Sequence, residues 1–172
     1  PAARRLLAVQ REVRPQGLTL KIFDCYRPQR AVTDFVAWTR DAADQKTKAE
    51  YFPDVDKAAL LELGYIAERS SHSRGSTVDL TLAALEPEAA PSLPIRGPLL
   101  AGGEVDMGTP FDLFDVKSHT DNPDLPEAVR HNRQFLKELM ARHGFRNLPE
   151  EWWHYTLDEE PYPDTYFNFP VR

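Results

Sequence analysis

The sequence predicts an α+β fold, with a central, mostly antiparallel sheet flanked by helices in a single domain. Three observations carry that expectation. Residues 18–26 and 77–82 read as strands, helix-spaced apolar residues precede and follow them at 2–13 and 127–143, and no internal repeat or low-complexity tract intervenes. A chain of 172 residues is one domain by length and can bury a full core.

Each element has its own signature. Residues 2–13 place Leu6, Val9 and Val13 on one helical stripe, and Pro15 and Gly17 stop it. Residues 18–26 are rich in β-branched and aromatic side chains and end at Arg27-Pro28, where the residue before proline favours extended backbone. Residues 29–43 return to helical spacing through Val32, Phe35, Val36 and Thr39, and a shorter helix is expected near 54–63, closed by Gly64. In residues 77–82, Val78, Leu80 and Leu82 face one side and Thr77, Asp79 and Thr81 the other. Residues 86–103 read as a Pro- and Gly-rich excursion. Residues 127–143 form the best helix, with Phe135, Leu136, Leu139 and Met140 as its stripe and Gly144 as its stop. A short strand from His154 and a Pro- and Tyr-rich tail complete the chain.

Composition excludes several classes. Hydrophobic residues make up 41% and charged residues 28%, so disorder is not indicated. With 21 basic against 27 acidic residues the formal charge is -6, which disfavours nucleic acid as a partner. Arg4-Arg5 and the basic residues near Arg130 read as solvated helix faces. One cysteine, Cys25, excludes an intrachain disulfide; it points to a reducing, cytoplasmic setting, with the periplasm as the alternative. No stretch has the length of a membrane span, no secretory leader is legible, and no heptad pattern forecasts an oligomer.

Two short stretches carry the chemistry. Ser71-His72-Ser73-Arg74-Gly75-Ser76-Thr77-Val78-Asp79 and Glu151-Trp152-Trp153-His154 offer two imidazoles and a carboxylate as zinc ligands, with a second carboxylate beside the last one. Three protein ligands leave a fourth position for water, the arrangement of a catalytic zinc. A carboxylate beside that water is what a metallopeptidase needs as general base. His72 and Asp79 lie seven apart, so they converge only if the chain turns between them, and Gly75 supplies that break. Glu151 and His154 share a centre if their segment is turn-like. The bland alternatives are a loop histidine, a half-buried aspartate, and a tryptophan pair that is simply core. Arg27, at the end of a core strand, reads either as a surface partner of Asp24 or as a guanidinium aimed at an oxyanion. Cys25 is expected to be a small buried hydrophobe rather than a nucleophile. His119, His131 and His143 lack a paired motif.

In this order, these residues resemble the zinc D-alanyl-D-alanine peptidases of the LAS group, most closely the VanX-type dipeptidases. The resemblance runs from Ile22-Phe23-Asp24-Cys25-Tyr26-Arg27-Pro28 through Met107-Gly108-Thr109-Pro110-Phe111-Asp112 to Phe167-Asn168-Phe169-Pro170, nearly the whole chain. It implies one zinc ion held by His72, Asp79 and His154. It makes Glu151 the general base that later protonates the leaving amine, and Arg27 the stabiliser of the tetrahedral oxyanion. Ser71 and Ser73 are then expected to hold the substrate termini, Asp112 to support the substrate amine or a ligand, and Asp24 to orient Arg27. Trp153 and Tyr155, beside the last ligand, join the candidate substrate contacts. The implied reaction is hydrolysis of a small dipeptide, D-alanyl-D-alanine. Longer peptidoglycan stems, cut by a carboxypeptidase or endopeptidase, are the first alternative, and a non-catalytic zinc module is the second. Two departures stand out. The family's further N-terminal segment, with a strand and an aromatic residue near the substrate, is expected to be absent here, and residues 89–106 form a long connection.

Overall fold

The computed structural model describes residues 1–86 and 94–171. Its sheet has four strands, β1 (Leu18–Asp24), β2 (Thr77–Ala84), β3 (Phe145–Leu148) and β4 (Glu151–Leu157), in the order β1-β2-β4-β3. All three pairings are antiparallel, which makes the fold α+β as expected. Helices α1 (Ala2–Val13), α2 (Gln29–Arg40), α3 (Lys48–Tyr51) and α4 (Glu127–Arg142) surround it.

Strand alternation decides which face does what. Val78, Leu80 and Leu82 of β2 join Trp153, Tyr155 and Leu157 of β4 in one core with Val9 and Val13 of α1 and Leu136, Leu139 and Met140 of α4. Burying each such side chain contributes about 1.5–3 kcal/mol, so this face fixes the register of the central strands. The other face carries Asp79 and His154. A second, smaller core of Val36, Phe52, Leu60, Ile66 and Phe114 forms beside it, under α2 and the 41–66 connection.

Three expectations change. No helix spans 54–63; the helix lies earlier, as α3, and only a short 3-10 turn, Lys57–Ala59, follows. Pro53 and the Asp56 side chain, which caps Ala58 N, restart the backbone there in place of a longer helix. The strand expected from His154 begins at Glu151 and has a hairpin partner, β3, too short to show alternation. Arg133 is not on a solvated helix face but 1% exposed. The expected excursion at 86–103 lies partly outside the described residues, at 87–93; after it the chain returns to the sheet through the isolated bridge Ala83–Glu104, and Leu99–Val105 bridges the returning segment to itself. Among the described residues, no helix is long and apolar enough to cross a membrane.

Candidate active site

Asp79 and His154 are direct partners across β2 and β4, so the pairing itself places a carboxylate against an imidazole on the face away from the main core. His72 arrives from a 3-10 turn, Ser71–Arg74, whose first turn is capped by the Ser70 hydroxyl. Gly75 follows at φ 71°, a left-handed geometry that glycine adopts without strain, and turns the chain into β2. This is the break that the spacing of His72 and Asp79 required.

Glu151 and His154 share one side by a different device. Leu148 pairs with Glu151 while the next residue back, Asn147, pairs with Tyr155, so β4 bulges between them. The Asn147 amide donates to both the Glu151 and His154 carbonyls, at 3.0 and 3.1 Å, and Thr120 Oγ1 donates to its oxygen at 2.6 Å. Asn147 therefore pins the bulge that brings base and ligand together. Nothing in its local sequence marks it.

The donor atoms converge as metal ligands do. One atom each from His72, Asp79 and His154 lie within 4.8 Å of one another. His72 Nε2 is 3.2 Å from Asp79 Oδ2, and His154 Nδ1 is 3.2 Å from Asp79 Oδ1. Ligand bonds of about 2.0–2.2 Å in a tetrahedral shell imply ligand–ligand separations of roughly 3.3 Å. Asp79 Oδ1 is buried and, apart from the His154 imidazole 3.2 Å away, has no polar partner among the described residues, which is costly unless a cation completes it. His72 is oriented from behind: its Nδ1 lies 2.6 Å from the Cys25 carbonyl, which can only accept, so Nε2 is left with its lone pair toward the site. His154 Nε2 lies 3.3 Å from the Ser71 hydroxyl, which plays the same part for the second imidazole. The three residues thus fit a divalent metal of the zinc type.

Electrostatics agree. Burial works against ionising Asp79, but the imidazoles of His154 and His72 outweigh it and hold its pKa down at about 2. Burial likewise works against charging His154, yet Asp79 and Glu151 raise its pKa to about 9. Each group thus favours the charged form of the other, and a metal binding there competes with a proton.

Arg27 and Glu151 face the same cavity, about 370 Å3 in volume, as the three ligands. Glu151 is 8% exposed, with Oε2 3.3 Å from His154 Nδ1. Asp24 Oδ2 accepts from both Nε and Nη2 of Arg27, at 3.0 and 2.6 Å, which fixes the guanidinium plane. Arg27 Nη1 makes no hydrogen bond among the described residues, and Arg27 lines the cavity. Asp112 closes the opposite side. Its φ of 61° is unusual for a residue with a Cβ, and burial, with Asp79 and Glu151 nearby, pushes its pKa up to about 7.

The loop that presents Asp112 is held by Arg133 of α4, which sequence reading had placed in solvent. Its guanidinium donates to the carbonyls of Met107, Lys117 and His119 at 2.7–2.9 Å. Thr109 Oγ1 lies 3.4 Å from Nη2 and also accepts from Trp152 Nε1 at 2.8 Å. Arg133→Met strips three carbonyls of donors, that of Met107 buried and those of Lys117 and His119 part-buried, and a buried one left unpaired costs about 1–3 kcal/mol. A loss of about 3 kcal/mol corresponds to a fall in Tm of roughly 6–12 °C for a chain of this size. Thermal unfolding of the variant checks this; an unchanged Tm removes Arg133 as the loop's anchor.

Four other expectations are corrected. Trp153 and Tyr155 are fully buried on the core face of β4 and do not line the cavity, because alternation turns them away from His154. The apolar wall comes instead from Val32, Phe35, Tyr65, Ile66 and Phe114. Ser73 is also buried; its hydroxyl donates to the Arg27 carbonyl at 2.7 Å, supporting the strand end rather than a substrate terminus. Cys25 is exposed, not buried, and serves the site through its backbone: its carbonyl meets His72 Nδ1 and its N donates to Asp24 Oδ1 at 2.7 Å. Ser71 does line the cavity, as does Ser70, which the sequence reading did not single out.

Comparison with known proteins agrees with this geometry. Residues 1–172 match the family Peptidase_M15, D-ala-D-ala dipeptidase. The D-alanyl-D-alanine dipeptidase of Streptomyces coelicolor is 46% identical over 155 residues, covering 90% of this chain and 70% of that protein. Its counterpart from Enterococcus faecalis is 43% identical over the same shares. That of Enterococcus faecium is 38% identical over 170 residues, 99% of this chain and 77% of its own length. A match along the whole chain, on a fold whose sheet gathers two imidazoles and two carboxylates at one cavity, means that this chain belongs to the D-Ala-D-Ala dipeptidase family of metallopeptidases.

Proposed function

We propose that this chain performs its family's hydrolysis of D-alanyl-D-alanine with one zinc ion held by His72, Asp79 and His154, Glu151 as general base and Arg27 as oxyanion donor. The observation that supports it most is the buried Asp79 carboxylate, each of whose oxygens lies 3.2 Å from a different imidazole nitrogen. Zinc in such a three-ligand site supplies Lewis acidity, lowering the pKa of a water toward about 7 and polarising a carbonyl.

The protein's own groups do the rest. Glu151 takes a proton from the attacking water as the oxygen–carbon bond forms, and hands it to the nitrogen as the amide bond breaks. Two D-alanines result, with no atom left over. Arg27, its plane fixed by Asp24, donates Nη1 to the oxygen that gains negative charge. The free ammonium of the dipeptide favours the ionised form of the Asp112 carboxyl and pairs with it. Because Arg27 acts on charge that develops in the transition state, Arg27→Ala is expected to lower kcat by about 10²–10³ with zinc content unchanged. An Arg27→Ala enzyme with near-normal kcat removes it from this role.

The experiment that tests the reading is D-alanine release from D-alanyl-D-alanine by zinc-loaded protein, with and without chelator. Chelator-sensitive release is expected. Metallated protein that releases nothing sinks the proposal.

A further inference from the structure

A second cavity of about 450 Å3 adjoins the first at Asp112. Phe35, Asp112 and Phe114 line both cavities, so the two adjoin, with a carboxylate at the junction. Beyond it the walls are aromatic, with Trp38 and Tyr51 added, and Asp34 and Thr47 stand exposed at the rim. These walls are held in place. The Lys57 ammonium sits 4.0 Å over the Trp38 ring and donates to the Asp41 and Asp44 carbonyls, and Phe52 meets Trp38 edge-on. The Tyr51 carbonyl accepts from Phe114 N at 2.7 Å, which ties the two sides together.

We propose that this aromatic groove is a specificity subsite for the side chain of the substrate's first residue, so that the enzyme accepts D-dipeptides with bulky apolar first residues. The inference rests on the dipeptidase reading above. Charge sets the direction: the ammonium end of a dipeptide favours the ionised Asp112 carboxylate and pairs with it, and its carboxylate end is repelled by that form. With the ammonium at the junction, the first residue's side chain is the group that can enter the groove. An acylated amine, as in a longer stem peptide, would leave Asp112 without its cation, so a preceding residue is the poorer occupant. Size is not limiting, since an apolar cavity of ~150 Å3 already holds benzene.

The test compares D-alanyl-D-alanine, D-leucyl-D-alanine, D-phenylalanyl-D-alanine and N-acetyl-D-alanyl-D-alanine on the zinc-loaded chain. The two bulky dipeptides are expected to show kcat/KM within about tenfold of D-alanyl-D-alanine or above it, because added methylenes that find an apolar pocket gain about 10–200-fold. Thr47→Trp and, separately, Asp34→Trp add bulk to the groove, and neither residue lines the cavity that holds the metal ligands. Each is expected to cut kcat/KM for the bulky dipeptides by about tenfold or more and to leave D-alanyl-D-alanine unchanged. Turnover of D-alanyl-D-alanine alone overturns the subsite and spares the dipeptidase reading. Preferred turnover of the acetylated substrate also overturns it, assigning the groove to longer peptides. Rim variants that slow all substrates equally overturn it too. No turnover of any substrate withdraws both readings.

Discussion

Glu151→Gln is expected to keep its zinc and lose nearly all turnover. The amide fills the same space beside His154, so the bulge pinned by Asn147 has no reason to relax. What it cannot do is accept a proton. General-base catalysis contributes about 10²–10⁴-fold, and the variant also loses a negative charge next to the developing ammonium. A fall in kcat of at least about a thousandfold is therefore expected, with KM little changed because Asp112 and Arg27 still meet the substrate. Metal analysis and steady-state kinetics on one preparation check both halves. If the variant loses zinc, Glu151 is a ligand and the base lies elsewhere.

Much of this site was legible because its chemistry is written in residue types and order. His72, Asp79, Glu151 and His154 are identifiable from two short stretches, and Gly75 announces the turn that His72 needs. The β2 alternation also told which side of the sheet Asp79 would occupy, and β2 keeps it. The misreadings share a physical cause: each depends on contacts distant in sequence. Trp153 and Tyr155 sit beside a ligand in the chain but across the sheet in space, so adjacency suggested substrate contact where alternation gives core. Arg133 looks like any helix arginine until three carbonyls from residues 107, 117 and 119 are seen to converge on it. Asn147 lies in a strand of four residues, too short to carry a pattern, and its role exists only through its paired strand. The loop with Asp112 is likewise an outcome of tertiary contacts. Its left-handed backbone at a non-glycine residue is held by Arg133 below and by the Phe23–Phe111 stack at 4.5 Å alongside.

Asp79→Asn is expected to abolish metal binding while the chain still folds. Asp79 is 2% exposed and contributes the only negative charge among the three ligands. Asparagine keeps the shape and offers a neutral oxygen, which leaves two imidazoles to hold a dication in a buried site. Losing a mere outer partner of a ligand costs about 10–100-fold in affinity, so replacing the charged ligand itself should cost more than about a hundredfold. Turnover falls in parallel, unlike in Glu151→Gln, where metal and activity separate. Stability gives an independent readout. A ligand at a hundred times its Kd stabilises a fold by about 2.7 kcal/mol, which for this size raises Tm by roughly 5–10 °C. Zinc should produce that rise in the native chain and in Glu151→Gln but not in Asp79→Asn. Its metal-free Tm should stay near that of the native apoprotein, because the lost carboxylate was stabilised mainly by a buried imidazolium that can now give up its proton. A zinc-induced rise of native size in Asp79→Asn removes Asp79 from the metal shell, and with it the geometry on which the whole mechanism stands.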